Sequence, residues 1–141
     1  MKIRAFERRN TETVIALWLA CGLTRPWNNS RLDIERKLTV QPELFLVGTE
    51  DDVVIATVMA GYDGHRGWIN YFAVSPEYQR KGLAKQLMAD VEVRLKAIGC
   101  PKINLQVRVG NDSAMAFYRA YGFEEEERVS FGKRLISDVQ P

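Results

Sequence analysis

The stretch Gln79-Arg80-Lys81-Gly82-Leu83-Ala84 lies between an apolar run, Trp68 to Val74, and a periodic one, Gly82 to Ile98. The first run reads as a strand. In the second, Ala84, Leu87, Met88, Val91, Leu95 and Ile98 share one helical face. Lys85, Asp90, Glu92 and Lys96 turn away from it, with Val93 the exception. Gly99 ends this helix and Pro101 prevents its continuation. The stretch is therefore a strand-to-helix connection. The first N–H groups of a helix lack an intrahelical acceptor, and the aligned peptide dipoles place partial positive charge there, so backbone alone can hold a phosphate. Gly82 has no Cβ to block close approach and Ala84 keeps the next turn small, while Arg80, Lys81 and Lys85 supply cations. Ser75-Pro76 followed by polar residues and a glycine is equally the composition of an ordinary connection, so this run alone leaves both readings open.

Downstream, Ile103, Leu105, Val107 and Val109 alternate with Lys102, Asn104, Gln106 and Arg108, which predicts a strand over Lys102 to Val109. A strand–helix–strand succession implies a right-handed crossover, so this strand is expected parallel to Trp68–Val74. Asn111-Asp112-Ser113 offers helix caps, and Ala114, Phe117, Tyr118 and Tyr121 form an apolar stripe closed by Gly122. An acidic run, Glu124 to Glu127, reads as a solvated edge, and Val129-Ser130-Phe131 as a last strand.

Upstream, Val53 to Ala60 is a near-continuous β-branched and apolar run of the kind covered on both faces. Asp63-Gly64 signals a hairpin into Trp68–Val74, loosened by Gly61 and Gly67. Leu44 to Val47 and the turn Glu50-Asp51-Asp52 add a preceding antiparallel strand. Ile3 to Phe6 is a short first strand. Val14, Leu17, Trp18 and Cys21 make the stripe of a helix over Thr11 to Cys21 that stops at Gly22. A loop, Thr24 to Asn29, leads to Ser30-x-x-Asp33, which reads as a capping box for a helix reaching Leu38.

The length, 141 residues, fits one domain spanning 1–141 with a sizeable core. With 46% hydrophobic and 27% charged residues, composition is that of a soluble globular chain. A net charge of +2 gives no support to nucleic acid or an anionic membrane as partner. Cys21 and Cys100 lack metal-like or CxxC spacing, so no metal is expected and the thiols read as buried and structural. Met1-Lys2-Ile3-Arg4 opens no apolar leader and no apolar run approaches the roughly 18 residues of a membrane span, which predicts a cytoplasmic protein.

The element order and two motifs together resemble the GCN5-related N-acetyltransferase (GNAT) superfamily, in its small bacterial form. The first motif is the Gln/Arg-x-x-Gly-x-Gly/Ala signature at Gln79 to Ala84, preceded by Val74-Ser75-Pro76. The second is Asn-x-x-Ala-x-x-x-Tyr-x-x-x-Gly-Phe at Asn111, Ala114, Tyr118, Gly122 and Phe123. The match is strongest over residues 68–123. The resemblance implies an α/β (α+β) fold, the acyl-CoA N-acyltransferase fold. Its central sheet is mixed but mostly antiparallel, with a splayed parallel strand pair, and about four helices flank it.

It further implies an N-acetyltransferase that moves an acetyl group from acetyl-CoA to a primary amine, or alternatively a CoA-binding regulatory module with little transfer. The pyrophosphate would sit on Gln79, Arg80, Lys81, Gly82, Leu83, Ala84 and Lys85. The backbone of Phe72, Ala73 and Val74 would hold the pantetheine and the thioester carbonyl, with Asn111 and Ala114 beside the arm. Tyr118 would be the general acid that protonates the leaving thiolate. Relatives that acetylate protein N-termini commonly carry a Glu base five residues before the motif Asn, where this chain has Gln106. An amide accepts no such proton, although it can orient a water. Asp33, Glu35, Asp63 and the lone His65 are the other conceivable bases, and deprotonation by solvent is a further route. Trp18, Trp27, Asn28, Tyr62 and Tyr71, with Gln106, are the expected lining for the acceptor amine. Oligomeric state is left at monomer or homodimer.

Overall fold

Four successive antiparallel strands and one parallel strand form a single five-stranded sheet in the order β1-β2-β3-β4-β5. The computed structural model describes residues 1–139. The strands are β1 (Lys2–Ala5), β2 (Phe45–Glu50), β3 (Val53–Tyr62), β4 (Gly67–Val74) and β5 (Ile103–Leu105). The helices are α1 (Thr11–Ala20) and α2 (Ser30–Lys37) between β1 and β2, α3 (Leu83–Ala97) between β4 and β5, and α4 (Asp112–Tyr121) after β5. This is the mixed, helix-flanked architecture expected from the sequence.

Both faces of the sheet are covered, which is why β2 and β3 are almost continuously apolar rather than alternating. On one face Val14, Trp18 and Ile34 from α1 and α2 pack with Phe45, Val47, Met59 and Ala73. On the other, Leu87, Val91 and Leu95 of α3 pack with Leu46, Ala56, Val58, Ala60 and Ile69. Gly67 lets the start of β4 pass under the end of α3, because a Cβ there would come within 2.8 Å of Cys100 Sγ.

The pairing of β3 with β4 shifts register between Thr57 and Met59. Val58 is therefore opposed by both Tyr71 and Phe72, a β-bulge with Tyr71 in the left-handed region at φ +50°. A bulky residue holds that conformation only where its surroundings over-determine it, at a cost on the order of 1–3 kcal/mol. Here the surroundings are a buried relay. Trp18 Nε1 donates to Thr57 Oγ1 at 2.8 Å, and Thr57 Oγ1 donates to the Tyr71 carbonyl at 2.9 Å. The Trp18 indole also stacks on the Tyr71 ring, with centroids 3.8 Å apart. Thr57→Val leaves a buried N–H and a buried carbonyl without partners. It is expected to destabilise the fold by about 3 kcal/mol, measured by urea unfolding.

Three expectations need correction. The helix cap of α2 is Asn29, whose Oδ1 accepts from Leu32 N–H at 3.1 Å, and not Ser30; Asp33 is thereby free to face β4. The strand expected over Lys102 to Val109 keeps a ladder only at Ile103–Leu105, because β4 beyond Ile69 runs into its bulge and leaves β5. Val129-Ser130-Phe131 is not a strand, for no strand edge among the described residues pairs with it.

Candidate functional site

The parallel pair β4 and β5 is in register only at Gly67 with Ile103, Trp68 with Asn104 and Ile69 with Leu105. From Asn70 to Val74 the edge of β4 has no strand partner, so a gap opens at the C-terminal ends of the two strands. Phe72, Ala73 and Val74 lie along that gap. Tyr118, on α4, reaches it from the far side: its ring is 6.2 Å from the ring of Phe72 and 5.6 Å from that of Phe123. Partial burial pushes the Tyr118 hydroxyl up to about 12, so it keeps its proton at any ordinary working pH. Asn111 caps α4, its Oδ1 accepting from the Ala114 N–H at 3.2 Å. Asn111 therefore stands at the N-terminal end of α4, about two turns before Tyr118.

The connection from β4 to α3 departs from ordinary turn geometry. Arg80 and Gly82 both take left-handed conformations, at φ +64° and +76°. α3 then begins at Leu83 with no side-chain cap and no acidic residue in its first turn. The first backbone bond of the helix is Gln86 N–H to the Gly82 carbonyl. The N–H groups of Leu83, Ala84 and Lys85 are thus left for an outside acceptor. A Cβ built on Gly82 meets nothing within 4 Å, so the space beside it is open. Gln79 Nε2 donates to the Val74 carbonyl at 3.0 Å, tying this loop to the end of β4. Lys81 rests its ammonium over the Tyr78 ring, 5.1 Å from the centroid.

On the opposite face, Tyr71 O–H donates to Asp33 Oδ2 at 2.6 Å. Burial, helped by that carboxylate, holds the Tyr71 phenol well above its usual range, so it remains a donor. Asp33 is the one conceivable base that a side chain of the β4 bulge holds. Glu35 is bound at the surface to Arg8 Nη1 at 2.6 Å. Asp63 accepts from the His65 and Arg66 N–H groups in the hairpin, and these bonds hold its carboxyl below the usual range. Asp63 and His65 therefore sit at the closed end of β4, beside the Tyr62–Gly67 pairing. Tyr62 is there too, with its O–H toward Gly64 and Gly99, and is not brought to the gap. Trp27 and the Thr24–Asn29 loop are placed near the segment after β5, with the Arg108 guanidinium 5.7 Å from the Trp27 ring. Gln106 spends its amide on Ser130 Oγ.

Sequence reasoning missed Thr57, Arg36 and Arg108. Thr57 reads as one more β-branched strand residue, and only the register of β3 shows that its hydroxyl secures the bulge. Arg36 binds the buried Asp138 through two bonds of 2.7 and 2.9 Å and lies 3.5 Å from Asp33. That guanidinium holds the Asp138 carboxyl below its usual range. A contact spanning 102 residues leaves no local signal.

A mixed sheet that splays between its parallel strands, followed by an uncapped helix start, is the architecture of acyl-CoA N-acyltransferases. The chain belongs to the acetyltransferase (GNAT) family, whose model matches residues 10–123. A protein named "Acetyltransferase" from Yersinia pestis (strain Pestoides F) is 46% identical over 140 residues, 99% of each chain. Ard1 from Thermoplasma volcanium has a similar structure, with TM-score 0.76, 28% identity, 87% of this chain and 82% of that one covered. AAC(6')-Iy, solved with the bisubstrate analogue CoA-S-monomethyl-acetylneamine, superposes with TM-score 0.77 at 23% identity, covering 96% of this chain and 98% of the other. Among the described residues no helix is long and apolar enough to cross a membrane.

Proposed function

We propose that this acetyltransferase uses acetyl-CoA as donor and a primary amine as acceptor, with the donor lying in the gap between β4 and β5. The carrying observation is that β4 loses its strand partner after Ile69, with an open cradle of helix N–H groups at its end. Bound acetyl-CoA supplies a thioester whose acyl carbon is open to attack. The backbone of Phe72, Ala73 and Val74 offers strand-type bonds to the pantetheine amides, and an N–H of the bulge polarises the thioester carbonyl. Gln79 to Lys85 receive the pyrophosphate through backbone N–H groups, assisted by Arg80, Lys81 and Lys85. Asn111 and Ala114 flank the arm.

As the amine nitrogen bonds to the acyl carbon, the carbon–sulfur bond breaks and the thiolate takes the phenolic proton of Tyr118. The proton shed by the amine goes to Asp33, directly or through one water, with Tyr71 fixing the carboxylate that receives it. Trp27, Asn28 and Tyr71 bound the acceptor side. The engaged amide of Gln106 is outside this proton path, which distinguishes the site from those with a Glu at that position.

Gly82 tests the cradle. Gly82→Ala should leave the fold within about 1 kcal/mol of wild type, the cost of its left-handed backbone. Gly82→Trp, which puts an indole into the open space before the helix N–H groups, should weaken acetyl-CoA binding at least about tenfold by titration calorimetry, or about 1.4 kcal/mol. Unchanged affinity in Gly82→Trp would remove the cofactor from this loop.

A further inference from the structure

Beyond the paired stretch of β4 and β5 the gap has two banks. Ile69 pairs with Leu105; Tyr71 follows two residues later on one bank and Arg108 three residues later on the other, so they stand at about the same height above the closed end. Trp27 reaches Arg108 from the α2 side. It lies two residues before Asn29, the cap of the helix whose first turn carries Asp33. The Arg108 guanidinium is 5.7 Å from the Trp27 ring centroid, within cation–π reach.

This arginine is held but not neutralised. Among the described residues it makes no ion pair and no side-chain hydrogen bond, and it is exposed, so its five N–H donors are uncommitted. Arg25, on the same loop as Trp27, is bound only by the Gly22 and Thr24 carbonyls. The carboxylates of α1 and α2 are by contrast all engaged: Glu12 with Arg31, Glu35 with Arg8, and Asp33 with the Tyr71 hydroxyl. Arg36 stands 3.5 Å from Asp33 as well. The spare charge on the acceptor side is therefore positive. A polyamine would meet cations that no acid offsets, whereas a carboxylate matches the planar guanidinium through two parallel bonds.

We infer that the acceptor is a small primary amine that carries a carboxylate, bound with its carboxylate on Arg108 and its amine toward Asp33. Trp27 fixes the guanidinium from the α2 side, so the two ends of the acceptor are held from the two banks of the gap. The inference rests on the acetyl transfer proposed above and adds to it the class of acceptor and the residue that selects it.

The test pairs glycine, β-alanine, 4-aminobutyrate and glycylglycine each with its carboxamide, read by thiol release from acetyl-CoA. The amide has the less basic amine and so the larger neutral fraction, which makes a preference for the acid a matter of binding. At the best-fitting length kcat/KM for the acid should exceed that for the amide about tenfold, and that length identifies amino acid or peptide as the source. Arg108→Met, which keeps an unbranched chain beside Trp27, should bring the ratio to about one by raising KM for the acid, and Arg108→Lys should restore part of it. Titration of the N-acetylated acids and amides into the CoA-bound protein reads the same contact without turnover. Equal kcat/KM for acid and amide at every length, or an acid preference that survives Arg108→Met, would overturn the inference. No turnover with any amine, but Arg108-dependent binding of the N-acetylated acids, would remove the acetyl-transfer reading and keep the carboxylate site. Absence of that binding too would overturn both.

Discussion

Tyr118→Phe is expected to lower kcat about 100-fold while acetyl-CoA binding stays within about twofold of wild type. The variant keeps the ring that packs near Phe72 and Phe123 and removes the proton that the proposed mechanism delivers to the departing sulfur. Affinity should hold because the cradle at Gln79 to Lys85 and the free edge of β4 are untouched. The pH dependence is a second signature. Burial raises the Tyr118 hydroxyl to about 12, so wild type has no falling alkaline limb from this group below that pH. The variant should therefore show a lower curve of the same shape across pH 6 to 10, a window set by the ordinary titration range of amines and phenols. Stopped thiol-release assays at saturating donor measure this, and an unchanged kcat would take Tyr118 out of the chemistry.

Asp33→Asn should cost about as much, on the order of 100-fold in kcat with a neutral-pH acceptor, because the amide cannot take the amine's proton. The substitution keeps an oxygen for the Tyr71 O–H, so the bulge and the Trp18–Thr57 relay should survive. Tyr71→Phe separates the two contributions. It leaves the carboxylate but frees it to rotate, and the expected loss is about tenfold, with the larger part in kcat. Equal rates for Asp33→Asn and wild type at every pH would assign the proton to solvent. Glu35→Gln is the control, since that carboxylate is held at the surface by Arg8 and should leave the rate unchanged.

Most of the sheet was legible because its faces are written into local spacing. The stripe on α3 and the apolar runs of β2 and β3 gave the layers, and the strand–helix–strand order gave the parallel pair. The cradle was legible as a connection with Gly82, but the left-handed Arg80 beside it was not, since no sequence rule places an arginine there. The proposed proton path needed the fold. Asp33 and Tyr71 are separated by 38 residues and meet only because the bulge turns Tyr71 toward α2. The short β5 and the unpaired Val129–Phe131 arm share a cause. Alternation records that a segment can be a strand, while the presence of an edge to pair with is settled elsewhere in the chain.

The most direct test of the account is free-thiol release from acetyl-CoA across a panel of primary amines, from small diamines to aminoglycosides and peptide N-termini. Turnover above hydrolysis with at least one acceptor, lost in Tyr118→Phe and in Asp33→Asn, is the expected result. Tight acetyl-CoA binding with no acceleration by any amine would contradict it and leave a CoA-binding module in its place.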